Sequence, residues 1–514
     1  MSTAATDEAI LAAADRVTDP LRPLPFAWAK RHGVLVRSFD EERVEAVVRS
    51  GASPAAVAEV RRHLRRPLRI ERVDAERFEV LLREAYEGGS NAAMDAMGGL
   101  EEDTDLNDLA QDIPEPSDLL ESEDEAPVIR LINALLTQSV KENASDIHIE
   151  PFENRLVIRF RVDGVLREVL QTKRAVAPLI VSRIKVMSRL DIAEKRLPQD
   201  GRIKIKMKLA GKVKELDYRV SVLPTLFGEK IVCRLLDKDN LMLDMTKLGF
   251  EKSSLQRFEK AIMRPWGMVL VTGPTGSGKT NTLYSALSRI NTPDTNIMTA
   301  EDPVEFNLPG INQVQMKDSI GLNFAAALRS FLRQDPNIIL VGEIRDFETA
   351  EIAVKASLTG HLVLSTLHTN DAPSTINRLM NMGIEPYLVA TSVVLIAAQR
   401  LIRRVCSNCK VPTDVPPQVL IQLGFTAEES KTVQVMKGKG CERCNGSGLK
   451  GRVALVEVLE ISEEIKEMIL SGASSVEIKR KGIEEGMVTL RGSGLAKIKD
   501  GLTTIEEVVR ETVL

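Results

Sequence analysis

Residues 273–280 have the sequence Gly273-Pro274-Thr275-Gly276-Ser277-Gly278-Lys279-Thr280. This stretch fits the pattern G-x-x-x-x-G-K-[ST], and it lies between a short apolar run at 268–272 and a helical pattern at 280–290. Glycines let backbone N–H groups turn toward phosphate oxygens, and a helix N-terminus adds the positive end of its dipole. The stretch therefore predicts a nucleotide site in which Lys279 reaches the β- and γ-phosphates and the Thr280 hydroxyl ligates Mg²⁺.

Short apolar runs surround this phosphate loop. Residues 268–272, 338–341 and 362–366 are each a few hydrophobic residues long, and they alternate with helical patterns. Buried strands that alternate with helices are typical of a parallel sheet with helices on both faces. We therefore predict an α/β nucleotide-binding core over residues 239–404.

Acidic residues follow the phosphate loop at two points. The first is the segment Glu301-Asp302-Pro303-Val304-Glu305, and the second is Glu343, just after the apolar run at 338–341. Ligand sites of α/β sheets lie at the carboxyl ends of the strands, so we expect Glu343 on the Mg²⁺ side of the nucleotide. A standard Walker B motif would carry Asp one position earlier, where this chain has Gly342.

Two of the five histidines, His361 and His368, flank the apolar run at 362–366. A histidine beside a strand is commonly structural, but a pair flanking one strand of a nucleotide-binding core can also sense phosphate. The residues alone leave both interpretations open.

The N-terminal half divides by composition and periodicity. Alternating strand patterns and the turn signal Asp163-Gly164 predict an α+β domain over 126–238, whose sheet keeps one largely basic face. Residues 1–88 are rich in Ala, Arg and Val and predict a small helical domain. Residues 89–125 predict a flexible acidic linker, because from position 101 onward they hold twelve Asp or Glu and no Lys or Arg.

Four of the five cysteines form two Cys-x-x-Cys pairs separated by 31 residues, Cys406/Cys409 and Cys441/Cys444. In a reducing compartment this pattern indicates a metal site rather than disulfides, and four thiolates in tetrahedral arrangement suit a structural Zn²⁺. We predict a zinc-binding insert over 405–450, followed by a mostly helical segment at 451–514. A free dithiol pair and a nucleic-acid-binding ribbon are the alternatives.

The composition limits the classes of function. The 514 residues carry 69 basic and 73 acidic side chains, which gives a net charge of −4, and only 4% are aromatic. Proteins built to bind nucleic acid show basic surfaces or aromatic stacking residues, so we predict no nucleic-acid partner.

No apolar run approaches the ~18 residues that cross a bilayer, and the polar N-terminus does not resemble a signal peptide. We expect a cytoplasmic protein that reaches a membrane only through a partner.

The order and spacing of these motifs resemble those of the secretion ATPase superfamily, which includes secretion and type IV pilus motors. The phosphate loop, the acidic segment, Gly342-Glu343 and the two histidines are similar to its Walker A, Asp, Walker B and His boxes. Three segments resemble the domain that precedes the motor in pilus-assembly and type II secretion ATPases, namely Ala144–Pro151, Leu197–Arg202 and Arg219–Arg234. The segment 24–34 is similar to the N-terminal domain of general secretory pathway protein E. The tetracysteine insert is typical of these two groups and not of retraction motors.

This resemblance implies a RecA-like motor domain with defined roles for the acidic residues and histidines. Glu305 would polarise the attacking water, and Glu343 would hold Mg²⁺. His361 and His368 would sense the γ-phosphate, with His368 closer to it. Glu301 and Asp302 of the same acidic segment would be supporting polar groups.

The resemblance also implies that arginines of the domain before the motor close over the nucleotide. That role would fall to Arg219 and Arg234, with Arg202 as a weaker candidate. All three lie in predicted strands, and guanidinium suits bidentate phosphate contacts.

The implied function is that of a cytoplasmic ATPase, peripheral at the inner membrane, which forms a homo-oligomer, a hexamer by expectation. It would hydrolyse MgATP to power pseudopilus assembly and protein export by type II secretion. Residues 1–88 would dock onto the cytoplasmic domain of an inner-membrane protein, and the ring would push on a polytopic platform protein. The alternatives are a type IV pilus extension ATPase, a nucleic-acid motor and a non-hydrolysing nucleotide-gated scaffold.

Overall fold

The computed structural model describes residues 24, 26–39, 44–64, 67–75, 77–78, 81–82, 106–111, 126–209, 212–236 and 243–512. The chain divides into two compact units, Met1–Leu236 and Asp237–Leu514. Among the described residues, no helix is both long enough and apolar enough to cross a membrane.

The N-terminal part of the first unit contains a sheet as well as helices, so the expectation of a small helical domain at 1–88 is wrong. The sheet has the order β1-β2-β3, with β1 and β2 antiparallel and β2 and β3 parallel. Valines at alternate positions are buried in its core, and β-branched side chains favour strands over helices. The elements are α1 (Phe26–His32), β1 (Val34–Phe39), β2 (Val44–Arg49), α2 (Pro54–Leu64) and β3 (Leu68–Val73).

Part of the predicted acidic linker is folded. Residues Leu106–Gln111 form helix α3, and Leu106, Leu109 and Ala110 are buried in the same hydrophobic cluster as the α+β domain that follows. Apolar residues spaced by three and four positions lie on one helix face, which explains the packing despite the acidic surroundings. The prediction of a flexible linker is therefore wrong at this helix, and the remaining linker positions lie outside the described residues.

The second part of the first unit confirms the predicted α+β pattern. Six antiparallel strands pair in the order β6-β5-β4-β9-β8-β7. One face packs against α3 and two further helices and includes Cys233, which is 2% exposed. The helices are α4 (Ala126–Lys141) and α5 (Ala177–Met187). The strands are β4 (Ala144–Pro151), β5 (Arg155–Val162), β6 (Val165–Lys173), β7 (Gln199–Leu209), β8 (Lys212–Thr225) and β9 (Gly228–Leu235).

The second unit is built on a seven-stranded sheet of order β12-β11-β13-β14-β10-β15-β18. The first six of these strands are parallel, and β18 runs antiparallel at the edge. Alternate residues of the central strands enter two different hydrophobic clusters, so the sheet is covered on both faces, as predicted. The parallel strands are β10 (Gly267–Thr272), β11 (Ile297–Glu301), β12 (Asn312–Gln315), β13 (Ile338–Val341), β14 (Leu362–Leu367) and β15 (Val393–Val405).

Helices flank this sheet and continue beyond it. Helix α6 (Lys252–Ile262) precedes the first of its parallel strands, and the helices between those strands are α7 (Lys279–Ile290), α8 (Phe324–Phe331), α9 (Phe347–Leu358), α10 (Pro373–Asn381) and α11 (Pro386–Ser392). After β15 comes the cysteine-bearing insert, with α12 (Pro417–Leu423), α13 (Glu429–Thr432) and the antiparallel pair β16 (Lys410–Pro412) and β17 (Met436–Gly438).

The segment predicted as mostly helical at 451–514 begins with a strand instead. Strand β18 (Leu449–Glu460) pairs with β15 and carries buried valines at alternate positions, a pattern that suits a strand. Helices follow from residue 463 onward, and they are α14 (Glu463–Leu470), α15 (Ser475–Glu484), α16 (Leu490–Lys499) and α17 (Ile505–Thr512).

Candidate functional site

The phosphate loop connects the end of β10 to the start of α7. Gly273 and Gly278 have φ angles of 146° and 86°, which L-residues with a side chain rarely adopt. A Cβ at Gly273 would also lie 2.3 Å from the carbonyl oxygen of Gln399, so this position tolerates only glycine. The loop therefore brings the backbone N–H groups and the N-terminus of α7 to one point at the carboxyl edge of the sheet, which fits an anionic phosphate.

Lys279 is the first residue of α7 and folds back over the loop. Its Nζ donates hydrogen bonds to the carbonyl oxygens of Gly273, at 2.9 Å, and Pro274, at 3.1 Å. Burial lowers the pKa of Lys279, and the nearby carboxylate of Glu343 acts in the opposite direction. The ammonium group thus lies between the loop and an acidic side chain, in the position expected for a group that pairs with phosphate.

Glu343 is held by two basic side chains at the carboxyl end of β13. Nε2 of His368 donates to Oε2 of Glu343 at 3.1 Å, and Arg345 forms an ion pair with the same carboxylate. Although burial acts to raise the pKa of Glu343, the hydrogen bonds from Arg345 and His368 hold it below its usual range. The structure therefore brings Lys279, Glu343 and His368 together, with the carboxylate ionised.

His361 lies elsewhere. It immediately precedes β14, where its Nδ1 is 2.9 Å from the carbonyl oxygen of Ala356, whereas His368 immediately follows that strand. Seven residue steps of ~3.3 Å along the strand separate the Cα atoms of the two histidines by about 23 Å. The phosphate loop is at the His368 end because β10 and β14 are parallel. The structure therefore places His361 at the edge of the sheet opposite the phosphate loop of its own chain, and its role as a sensor of the γ-phosphate stays a prediction.

The acidic segment begins at the last residue of β11, on the same edge of the sheet as the phosphate loop. Glu301 is only 4% exposed and accepts hydrogen bonds from Tyr284, Thr299 and Gln313. Such a fully bonded carboxylate fixes the path of the chain. Glu305 follows four residues later and is half-buried. The role of Glu305 in polarising the attacking water stays a prediction.

Two residues of this site were not identified from the sequence. Arg345 pairs with Glu343, and the hydrogen bond to that carboxylate raises the pKa of Arg345, with added influence from Asp302 and Asp318. Gln399 is buried beneath the phosphate loop. Its signal in the sequence is a single polar residue after the apolar run of β15.

The predicted arginines lie side by side on the sheet of the α+β domain. Arg202, Arg219 and Arg234 are direct cross-strand neighbours on β7, β8 and β9. Nε of Arg234 donates to Oδ1 of the buried Asp146 at 2.7 Å, while the Arg234 side chain remains 54% exposed. The three adjacent guanidinium groups lie on one face, where Nε of Arg202 is also 3.5 Å from Oδ1 of Asp217, and guanidinium groups suit an anionic ligand. Arg202, the weaker candidate, belongs to the same row as the other two.

The cysteine pairs converge as predicted. The four Sγ atoms of Cys406, Cys409, Cys441 and Cys444 all lie within 4.8 Å of one another, and the closest separations are 3.6 to 3.8 Å. Four sulfurs at ~2.3 Å from one tetrahedral ion would be about 3.8 Å apart, whereas a disulfide would bring two of them to ~2.05 Å. A hydrogen bond from Asn408 lowers the pKa of Cys441 to about 6, whereas burial raises the pKa of Cys409 to about 11. The cluster fits a metal ion with no open coordination position.

The parallel sheet and its phosphate loop define a P-loop nucleotide hydrolase fold, and solved structures support this class. The ATPases DotB of Legionella pneumophila and Yersinia pseudotuberculosis superpose with TM-scores of 0.54 and 0.55, at 22% identity, covering 74% of this chain and 94% and 93% of theirs. At that identity the likeness concerns the fold.

The sequence comparisons narrow the class to a family. Residues 121–510 match the family described as Type II/IV secretion system protein, and residues 23–86 match an N-terminal domain of GSPII protein E. The chain belongs to the Type II/IV secretion system protein family, and it is an ATPase of that family.

The chain is similar in sequence to type II secretion system proteins and to a type IV pilus assembly ATPase. Type II secretion system protein E of Dickeya dadantii is 48% identical over 497 residues, which are 96% of this chain and 98% of the relative. Type II secretion system ATPase E of Vibrio cholerae is 44% identical, over 98% of this chain and 99% of the relative. Type IV pilus assembly ATPase PilB of Myxococcus xanthus is 57% identical over 439 residues, which are 84% of this chain and 77% of the relative.

Proposed function

We propose that the chain hydrolyses MgATP to power pseudopilus assembly and protein export by a type II secretion system. The observation that carries this proposal is the match of residues 23–86 to an N-terminal domain of GSPII protein E. That match extends the similarity beyond the motor, and relatives named type II secretion system protein E align with 96% of the chain. The motor alone would not distinguish secretion from other uses of the same chemistry.

The residues at the carboxyl edge of the sheet suit the roles that hydrolysis requires. The backbone of residues 273–280 would cradle the β- and γ-phosphates, and Lys279 would neutralise their charge. Bound Mg²⁺ supplies a Lewis acid for the phosphate oxygens, and the Thr280 hydroxyl and Glu343, acting directly or through water, would hold it. Glu305 would orient the water that attacks the γ-phosphorus.

The contacts of Glu343 support a role for His368 beside the γ-phosphate. Because the carboxylate can only accept, Nε2 of His368 must carry the proton in their 3.1 Å contact. The imidazole is thereby fixed in one orientation at the end of β14. A change at the γ-phosphate would alter this hydrogen bond directly, which gives His368 a physical means to sense hydrolysis.

The arginine row supports closure of the α+β domain over the nucleotide. In Arg234 the Nε atom donates to Asp146, and the two terminal nitrogens carry four further N–H donors. Terminal guanidinium nitrogens form the bidentate contacts that phosphate prefers. We assign this clamp to Arg219 and Arg234, and extend it to Arg202 because it lies in the same row.

The assembly would be a hexameric ring at the inner membrane. The domain over 1–88 would bind the cytoplasmic domain of an inner-membrane protein, and the ring would act on a polytopic platform protein. The match to a domain of GSPII protein E supports the docking role, since this segment lies outside the motor. The domain ranges 239–404 for the motor and 126–238 for the arginine-bearing domain remain predictions.

The metal at the cysteine cluster would be a structural Zn²⁺. We expect the double variant Cys406→Ser/Cys441→Ser to lose about one metal ion per chain and to unfold at a lower temperature. Elemental analysis and thermal unfolding of the purified protein would measure both effects. The matched control is Cys233→Ala, which removes a buried cysteine outside the cluster and should leave the metal content unchanged. Wild-type protein without metal would contradict the assignment.

A type IV pilus assembly ATPase is the second candidate, because PilB of Myxococcus xanthus is more similar in sequence over the part it covers. The two functions differ in client, not in chemistry. We therefore expect a chromosomal Glu343→Gln variant of the encoding bacterium to stop the export of secreted proteins and to retain its type IV pili. Extracellular protein and surface pili would be measured in the same cultures. Loss of pili with normal export would favour the second candidate.

A further inference from the structure

We infer that Gln399 is a positioning residue for nucleotide binding, because it sets the orientation of the peptide group between Ser277 and Gly278 in the phosphate loop. This inference rests on the proposed role of that loop as the phosphate cradle. Gln399 lies on β15, the strand next to β10 in the sheet, and its side chain is 2% exposed.

Both ends of the Gln399 side-chain amide are hydrogen-bonded. Nε2 donates to the carbonyl oxygen of Ser277 at 2.8 Å, and Oε1 accepts from the hydroxyl of Thr282 at 2.6 Å. A carbonyl oxygen can only accept, so the amide nitrogen must face Ser277. The orientation of the amide is therefore determined by its partners and leaves no alternative flip.

The bond to Ser277 has a consequence for the phosphate cradle. In a trans peptide group the C=O and the following N–H point in opposite directions. Because Gln399 holds the Ser277 carbonyl toward the sheet, the N–H of Gly278 must point away from the sheet, toward the inside of the loop. Backbone N–H groups at the start of the helix are the ones that bind phosphate. Gln399 thus orients the Gly278 N–H, a hydrogen-bond donor to phosphate, without contacting the phosphate itself.

The same residue also defines the other end of the loop. The backbone carbonyl oxygen of Gln399 is only 2.3 Å from the position that a Cβ of Gly273 would take. The side-chain Nε2 of Gln399 is 2.9 Å from the corresponding Cβ position of Gly278. The second contact links Gln399 to the glycine whose N–H it orients. Strand β15 therefore packs closely against both glycines of the loop. The loop conformation is set by these contacts in the absence of nucleotide.

Gln399→Leu tests the inference, since leucine keeps much of the volume and removes both hydrogen bonds. A buried carbonyl left without its donor costs enough to weaken nucleotide binding by roughly 10- to 100-fold. We expect this loss in the Kd for ADP and ATP, and in KM more than in kcat. Gln399→Glu should behave in the same way, because it keeps the shape but places an acceptor against the Ser277 carbonyl.

The control is Ser365→Ala on β14, which removes an equally buried bond, from the Ser365 hydroxyl to the carbonyl oxygen of Val341 at 2.8 Å. It should leave nucleotide affinity unchanged. Calorimetric titration with ADP would be made on all variants, with circular dichroism to confirm folding. Unchanged affinity in folded Gln399→Leu, with binding lost in Lys279→Ala, would overturn the inference alone. Unchanged affinity in both variants would also overturn the cradle assignment.

Discussion

Lys279→Ala is expected to abolish ATP hydrolysis, with the rate falling by roughly 10²- to 10³-fold or more, because a half-buried cation that meets developing phosphate charge is removed. In the structure the ammonium group is held above the loop by the carbonyl oxygens of Gly273 and Pro274. These contacts are weak substitutes for phosphate oxygens, so the group is positioned to exchange them for the nucleotide. Phosphate release from the assembled protein would measure the effect.

The matched control for Lys279→Ala is Lys355→Ala. Lys355 is a lysine of the same unit on helix α9, and its side chain is exposed and paired with Glu351 one helical turn away. An exposed pair of this kind contributes little, so activity should stay at the wild-type level. Hydrolysis by Lys279→Ala at the wild-type rate would show that nucleotide is bound elsewhere.

Local patterns were sufficient to predict the motor fold. The phosphate loop, the buried strands around it and the convergence of four cysteines each depend on residues close in sequence or on a fixed ligand spacing. The prediction failed where local composition and tertiary packing disagree. The N-terminal valines form strands although their surroundings are rich in Ala and Arg, and helix α3 packs on a core from within an acidic segment.

The sequence was sufficient to predict those site residues that come directly after the carboxyl end of a parallel strand. Glu343 and His368 both come after their strands and meet at the phosphate-loop edge. His361 comes before its strand, and parallel topology alone places it at the other edge. Gln399 could not be assigned from sequence because its function lies in a hydrogen bond to a loop 122 residues away.

Neutralising Arg219 and Arg234 together is expected to lower the hydrolysis rate by ~10³- to 10⁵-fold while leaving nucleotide binding to the loop largely intact. Arginine clamps stabilise charge that develops only in the transition state, so the loss should fall on kcat rather than on Kd. The variant is Arg219→Gln/Arg234→Gln, and its turnover and ADP affinity would be measured in the assembled protein. Arg155→Gln/Arg174→Gln is the control, since both residues are exposed arginines of the same sheet domain, outside the row.

A mixing experiment decides whether the clamp acts between subunits. If the arginines of one chain cover the nucleotide of another, a mixture of Lys279→Ala with the Arg219→Gln/Arg234→Gln variant contains sites with an intact loop and an intact clamp. Activity should then reappear on mixing two inactive proteins, as a fraction of the wild-type rate that follows the mixing ratio. Restoration requires a contribution across subunits, because neither chain alone carries both parts.

A double arginine variant that hydrolyses ATP at the wild-type rate on its own would instead remove the clamp from the mechanism, since the loop, Glu343 and Glu305 would then suffice for turnover.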